Sequence, residues 1–205
     1  MIPAAHAPSL DHVIVLAGGR STRMGADKAT IRIHNRRLVD IAVAELQALP
    51  VRRVAVVSSE NLQLASSILT ATEDPPFGGP VAGIHAGLRA LMNLAETVHH
   101  VGIIAVDAPF SPRVLPRLTD ALYSSDAHAA CVKGEYLNPL CAVWKTRALT
   151  NALTSGHRDR SAKSLFAGLE LATIPEAEAV HDADTPDQLP HLLSLLDSAG
   201  ADPAD

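Results

Sequence analysis

Aromatic side chains are nearly missing from this chain: one Trp, two Tyr and three Phe stand among 205 residues, so Ala, Leu and Val must carry the core. Cysteine is as scarce. Cys131 and Cys141 each lie in an apolar run, and there is no Cys-x-x-Cys and no zinc-ligand spacing. Both are expected to be buried, reduced core residues and not a disulfide. The ten histidines are scattered, with no pair at helical ligand spacing on a clear site. No apolar run reaches membrane-spanning length. Residues 1–10 lack the basic start and long apolar stretch of a signal peptide, so a cytoplasmic location is expected. Positive charge is not in excess: 17 Lys and Arg against 22 Asp and Glu leave a net charge of −5, which argues against a broad nucleic-acid surface. An anionic substrate must instead meet a local basic patch.

With 47% hydrophobic and 19% charged residues, the chain reads as globular and is long enough for one α/β domain. Its organising stretch is Val13–Lys28. The apolar run Val13–Ala17 reads as a buried strand. It breaks at Gly18-Gly19, where the backbone can turn tightly and approach a ligand. Arg20, Arg23 and Lys28 then supply three cations within nine positions. Turn N–H groups and clustered cations together make a phosphate cradle. A Walker loop is excluded, because Gly19 and Gly25 are separated by five residues and Ala26 follows where Lys is needed. No Gly-x-Gly-x-x-Gly occurs.

Further along, Ala29–Asn35 alternates like a short strand or hairpin arm. Leu38, Ala42, Leu46 and Leu49 keep helical spacing up to Pro50. Arg53–Val57 reads as a second buried strand, with a returning helix expected near Asn61–Leu69. Glu73–Pro80 is a loop by composition. Val81, Ile84, Leu88, Leu91 and Ala95 mark the next helix, and Val101–Val106 a third buried strand ending in Asp107-Ala108-Pro109. Ser111 is expected to cap a helix with Pro112 at its first position. Ala129–Lys133 and Leu140–Trp144 read as strands, Thr146–Leu153 and Ser161–Phe166 as helices. Val180–Asp184 reads as a last strand before a helix carrying Leu189, Leu192, Leu193 and Leu196. Alternating strands and helices argue for a mostly parallel, Rossmann-like sheet in a three-layer α/β/α arrangement. Ligands of such sheets bind beyond the strands' carboxyl ends. The glycine loop, the residues after Val57, and Asp107 all lie at such ends.

Leu16-Ala17-Gly18-Gly19-x-Ser21-x-Arg23-Met24-Gly25-x-Asp27-Lys28 resembles the signature loop of the nucleotidyltransferases related to molybdenum cofactor guanylyltransferase. Phe77–Gly83 resembles that family's Gly-Pro-x-x-Gly segment against the base, and Asp182–Leu189 its closing segment. The resemblance implies the nucleotide-diphospho-sugar transferase type of fold; composition sets a single domain over 11–197 between an Ala/Pro-rich, loose segment 1–10 and a polar, flexible tail 198–205. It implies transfer of GMP from GTP to molybdopterin cofactor with release of pyrophosphate. Arg23, Lys28 and Asp107 would be catalytic, and Asp107 and Asp184 would hold Mg2+. Leu16, Ala17, Gly18, Gly19, Arg20, Gly25, Lys28, Asp74, Gly79, Pro80, Gly83 and Asp107 would bind the nucleotide. Lys133, Gly134, Asn138-Pro139, Arg158, Arg160 and Lys163 fall where the family receives its second substrate, and they also fit an ordinary solvated surface. The expected partners are the two substrates, with transient contact to molybdoenzymes or delivery chaperones and with neither nucleic acid nor membrane. The chain is expected to be a monomer. Two departures bear on nucleotide choice: Asp182 and Asp184 replace the usual asparagines, as in relatives that transfer a cytidylyl group, and Val57-Ser58-Ser59 lacks an asparagine. The alternatives are a cytidylyltransferase or sugar-phosphate nucleotidyltransferase of the same fold and, more distantly, an inactive nucleotide-binding partner of a cofactor-delivery system.

Overall fold

The first strand, β1 (His12–Leu16), is buried along its whole length, because parallel strands flank it on both sides. A strand in that setting has no solvent face, which is why its sequence is a run and not an alternation. In the computed structural model the described residues are 10–18, 28–94, 97–177, 180–182 and 192–196. After β1 come the two-residue strands β2 (Arg32–Ile33) and β3 (Arg36–Arg37), α1 (Leu38–Gln47), β4 (Arg53–Val57) and β5 (Leu69–Ala71). Then follow α2 (Pro80–Met92), β6 (His100–Ala105), α3 (Leu115–Tyr123), β7 (Ala129–Lys133), β8 (Leu137–Lys145), α4 (Thr146–Leu153) and β9 (Leu171–Pro175). Seven strands form one sheet in the order β5-β4-β1-β6-β8-β7-β9. Only β8 runs against its neighbours.

Consecutive residues of each strand feed opposite layers. Val13 and Val15 of β1, Val54 and Val56 of β4 and Val143 of β8 pack with Leu38, Leu46, Leu115 and Leu118 of α1 and α3. Ile14, Leu16, Ala55, Val57 and Trp144 pack with Ile84, Leu88 and Leu91 of α2 and Leu149 of α4. The expected three-layer, mostly parallel architecture is therefore the observed one. Among the described residues its core is aliphatic apart from the buried Phe110, Trp144 and Phe166, the last two stacked at 5.3 Å. No helix among the described residues is long and apolar enough to cross a membrane.

Several local expectations are corrected. Residues 61–68 are not helical: Gln63 has φ +50, and its N–H is held by the Asn61 side chain at 3.0 Å, an Asx turn that competes with helix. The segment instead runs into the edge strand β5. Ala29–Asn35 does supply the expected hairpin arm, as β2, but only at Arg32–Ile33: the 3-10 turn Lys28–Thr30 takes its start, and the β2–β3 hairpin turns through His34 and Asn35 at positive φ. Phe110, not Ser111, stands at the N-cap, and the buried Ser111 hydroxyl has no partner among the described residues. The expected loop Gly134–Pro139 shortens to a turn, because β8 starts at Leu137. Val180–Asp182 is not a strand, and 183–191, with Asp184 among them, lies outside the described residues. Among the described residues the last strand is β9, which pairs parallel with β7 at the sheet's other edge.

Asp11 ties the amino ends of three strands. Its carboxylate, 1% exposed, accepts the N–H groups of His99 and His100 at 2.7 and 3.1 Å and a guanidinium N–H of Arg52 at 2.7 Å. Asp11→Ala leaves two backbone donors and a cation without their acceptor, and is expected to cost about 2–4 kcal/mol in urea denaturation. Asp11→Asn, which keeps one oxygen, should cost less. The cysteines are as expected. Cys131 and Cys141 are free, buried, and on opposite faces of the sheet. Burial pushes the Cys131 thiol up to about 11; burial and then Cys131 push Cys141 up to about 12, so neither is a nucleophile.

Candidate active site

Parallel register brings three strand ends to one level: Leu16 of β1 lies opposite Val57 of β4 on one side and Ala105 of β6 on the other. The chain goes from β1 to β4 on one flank and returns to β6 on the other. The carboxyl end of β1 is thus the switch point where open α/β sheets bind ligands. Backbone bonds lock the rim, with Ala17 N–H donating to Val57 O at 2.8 Å and Val106 N–H to Leu16 O at 3.0 Å. Beyond β6, Asp107 meets a residue from the far end of the glycine loop. The Lys28 ammonium donates to Asp107 Oδ2 at 2.8 Å across 79 positions of sequence. The two side chains are 24% and 21% exposed, so the pair is open to a ligand.

Over the same strand ends lies a cavity of about 340 Å3. Leu16, Gly18, Val57, Ser58 and Ala105 line its floor, Leu140 of β8 one side, and Phe77, Gly79, Pro80 and Gly83 the other. The second wall is built by the start of α2. Gly79 is its N-cap at φ +85, ψ 178, a conformation that only glycine adopts without strain, and Pro80 follows at the first helical position. Gly83 lets the helix close on the floor: a Cβ there would stand 3.0 Å from Leu16 Cδ2 and 3.2 Å from Glu73 Oε1. Glu73 Oε2 accepts the Gly78 N–H at 2.7 Å, and Asp159 N–H donates to Gly78 O at 2.7 Å. The loop is therefore held from both sides. Negative charge beside a helix N-terminus is also favourable.

Residues 13–178 match the model of the MobA-like NTP transferase domain. The chain belongs to the MobA-like NTP transferase family. It is 33% identical over 135 residues to a molybdenum cofactor guanylyltransferase of Sinorhizobium fredii, covering 64% of this chain and 62% of that protein. To the molybdenum cofactor guanylyltransferase of Rhizobium meliloti it is 30% identical over 167 residues, 78% of this chain and 76% of that one. The first match thus spans less than two thirds of the relative's length. A solved structure of molybdopterin-guanine dinucleotide biosynthesis protein A from Archaeoglobus fulgidus superposes with a TM-score of 0.70, covering 91% of this chain and 99% of that one at 21% identity. That likeness shows the shared fold, the nucleotide-diphospho-sugar transferase type.

Within this family domain, the structure brings together Leu16, Gly18, Gly79, Pro80 and Gly83 around the cavity, with Ala17 buried behind them; the Lys28–Asp107 pair does not line it, but Asp107 follows two residues after Ala105, which does. Gly19, Arg20, Arg23, Gly25 and Asp184 lie outside the described residues. Asp74 stands apart: it lines a neighbouring cleft, whereas Glu73, one position earlier, lines the cavity. The adjacent acidic pair was the sequence signal here, and only the path of the loop decides which member faces inward. Of the basic run, Arg160 bonds the carbonyls of Ala152 and Gly156 and the Ser164 hydroxyl, and so closes the end of α4. Arg158 bonds Pro75 O at 3.3 Å. Lys163 stands over the exposed Tyr136 ring at 5.9 Å.

Proposed function

We propose that the protein transfers GMP from GTP to the terminal phosphate of molybdopterin cofactor, releasing pyrophosphate. The observation that carries this reading is that the Lys28–Asp107 pair and a cavity walled by Gly79, Pro80 and Gly83 both lie at the carboxyl ends of the strands, at the sheet's switch point. The names of the relatives support the choice of nucleotide and acceptor. An acceptor phosphate oxygen attacks the α-phosphorus in line; the new P–O bond forms as the bond to pyrophosphate breaks, and the electron pair leaves with pyrophosphate. No covalent protein intermediate is needed, because positioning and charge neutralisation suffice. Lys28 and Arg23 neutralise the leaving pyrophosphate. The N–H groups of Gly18 and Gly19 hold phosphate oxygens, with Arg20 and Gly25 in the same loop.

Asp107 is the proposed Mg2+ ligand. Lys28 holds its Oδ2, while Oδ1 has no hydrogen bond among the described residues. Among those residues no group of three or more His, Cys, Asp or Glu is arranged for a metal. One carboxylate at a phosphate site suits Mg2+, which takes most of its ligands from phosphates and water. Bound there, it would neutralise the triphosphate. Asp184 is proposed as a further ligand. We assign the reaction to the cytoplasm, as two buried, reduced thiols support, and to a monomer that touches molybdoenzymes or delivery chaperones only in passing.

Glu73 supports guanine. A carboxylate facing the cavity can accept from the adjacent N1–H and N2–H2 donors of a guanine edge, whereas a cytosine edge offers one amine. GTP is expected to bind at least about tenfold more tightly than CTP or ATP, a difference of roughly 1.4 kcal/mol that one or two such bonds supply. Calorimetric titration of each nucleotide, with pyrophosphate release measured with and without molybdopterin, tests the reading. CTP binding as tightly as GTP would move the protein to the cytidylyl alternative that Asp182 and Asp184 leave open.

A further inference from the structure

Behind the loop 73–77, on the side away from the nucleotide cavity but sharing Thr72 with it, lies a cleft of about 520 Å3. One wall is a single stripe of α2. His85, Arg89 and Asn93 follow at intervals of four residues and so share a face. The opposite wall is the segment after α4, with His157 and Arg158. Thr70 and Thr72, at β5 and its continuation, add hydroxyls.

The charges in the cleft are unbalanced. Two guanidinium groups face it against one carboxylate, that of Asp74. Arg158 is tethered by its bond to Pro75 O. Arg89 makes no hydrogen bond or ion pair with another described residue. Between the walls the imidazoles of His85 and His157 stack with centroids 4.1 Å apart and planes 16° from parallel. Burial, followed by the positive charges of His157 and Arg89, pushes His85 below its ordinary range. An anion facing these groups would favour the charged form of His85. The donors are in place, and among the described lining residues Asp74 is the one carboxylate set against them.

We infer that this cleft is a second binding site, separate from the nucleotide cavity, for a dianionic tetrahedral oxyanion of the phosphate class. A guanidinium fork matches two oxygens of such an anion, and the imidazoles, Asn93 and the threonine hydroxyls can reach the rest. The groups facing His85 are His157, Arg89, Arg158 and Asp74, and only Asp74 opposes an anion. Binding therefore raises the affinity of His85 for protons, and by linkage the anion binds more tightly as pH falls. The site also touches the loop that walls the nucleotide cavity. Arg158 holds Pro75 and its neighbour Asp159 holds Gly78, while Glu73 faces the other side. An anion in the cleft thus bears on nucleotide affinity. Free phosphate and pyrophosphate share this chemistry.

Imidazole C2–H resonances of the full-length protein, assigned with His85→Gln and His157→Gln, provide the test. Titration with sodium phosphate is expected to move these two resonances saturably. Sulfate, which stays a dianion throughout, should bind about tenfold more tightly near pH 6 than near pH 8. Arg89→Ala should weaken phosphate about tenfold or more, with its far-ultraviolet circular dichroism unchanged. Pyrophosphate at least tenfold tighter than phosphate would name the pyrophosphate source, and equal affinity the free-phosphate source; either supports the site. Equal shifts with chloride at matched ionic strength, or unchanged affinity in Arg89→Ala, would overturn it. No turnover is read, so the outcome is independent of the GMP-transfer proposal.

Discussion

Lys28→Ala is expected to lower turnover about a hundredfold or more, the cost of removing a charge contact aimed at the leaving group, while the fold stays intact. The ammonium stands at the rim of the sheet, 2.8 Å from Asp107, and in the proposed mechanism it neutralises the leaving pyrophosphate. Its contribution to stability is small for two reasons. The pair is about a quarter exposed, and ion pairs with that access to water are worth roughly 0–1 kcal/mol. The turn Lys28–Thr30 is closed by backbone, with Ile31 N–H donating to Lys28 O at 3.2 Å, and does not need the side chain. For a domain of this size 1 kcal/mol corresponds to a melting shift of about 2–4 °C. Pyrophosphate release and thermal unfolding of the same preparation separate the two effects. Turnover within threefold of wild type in a folded variant would remove Lys28 from the proposed mechanism.

Asp107→Ala is expected to abolish magnesium-dependent turnover and, in the same variant, to leave or improve metal-free GTP binding. The opposite signs follow from charge. Without a cation, the Asp107 carboxylate repels a triphosphate and competes with it for Lys28; removing it relieves both, an effect of roughly several-fold at partly screened distances. If Asp107 holds magnesium as proposed, the same carboxylate would favour the cation that neutralises the triphosphate, and the binding of metal and nucleotide would be cooperative. Asp184→Asn should reduce activity but leave it detectable, since an amide still offers an oxygen. Magnesium titrations at saturating GTP, and GTP titrations in chelator, provide the readout. Wild-type magnesium dependence in Asp107→Ala would put the metal elsewhere.

Much of this fold was legible because parallel strands buried on both faces must be apolar runs. Val13–Ala17, Arg53–Val57 and Val101–Val106 therefore stand out, as do helices with one apolar stripe such as α2. The rim was legible as well, since Gly18 and Asp107 each break such a run at its carboxyl end. β9 was not. Five residues ending in proline carry no strand signal of their own, and Leu171–Pro175 is a strand because β7 offers it an edge. The helix expected near Asn61–Leu69 failed on one left-handed residue, Gln63, whose conformation no apolar spacing encodes.

By itself, then, the sequence determined the layers, the strand that starts them and the residue types at the rim, because burial and chain reversal are written in local periodicity and in glycine. Only the tertiary structure decided which of those residues meet. It joined Lys28 to Asp107, turned Glu73 and not Asp74 into the cavity, set Arg160 on the carboxyl end of α4, and stacked His85 of α2 on His157. Each of these depends on register between strands or on the path of a loop. Both arise from packing summed over segments far apart in the chain, which no window of neighbouring residues contains.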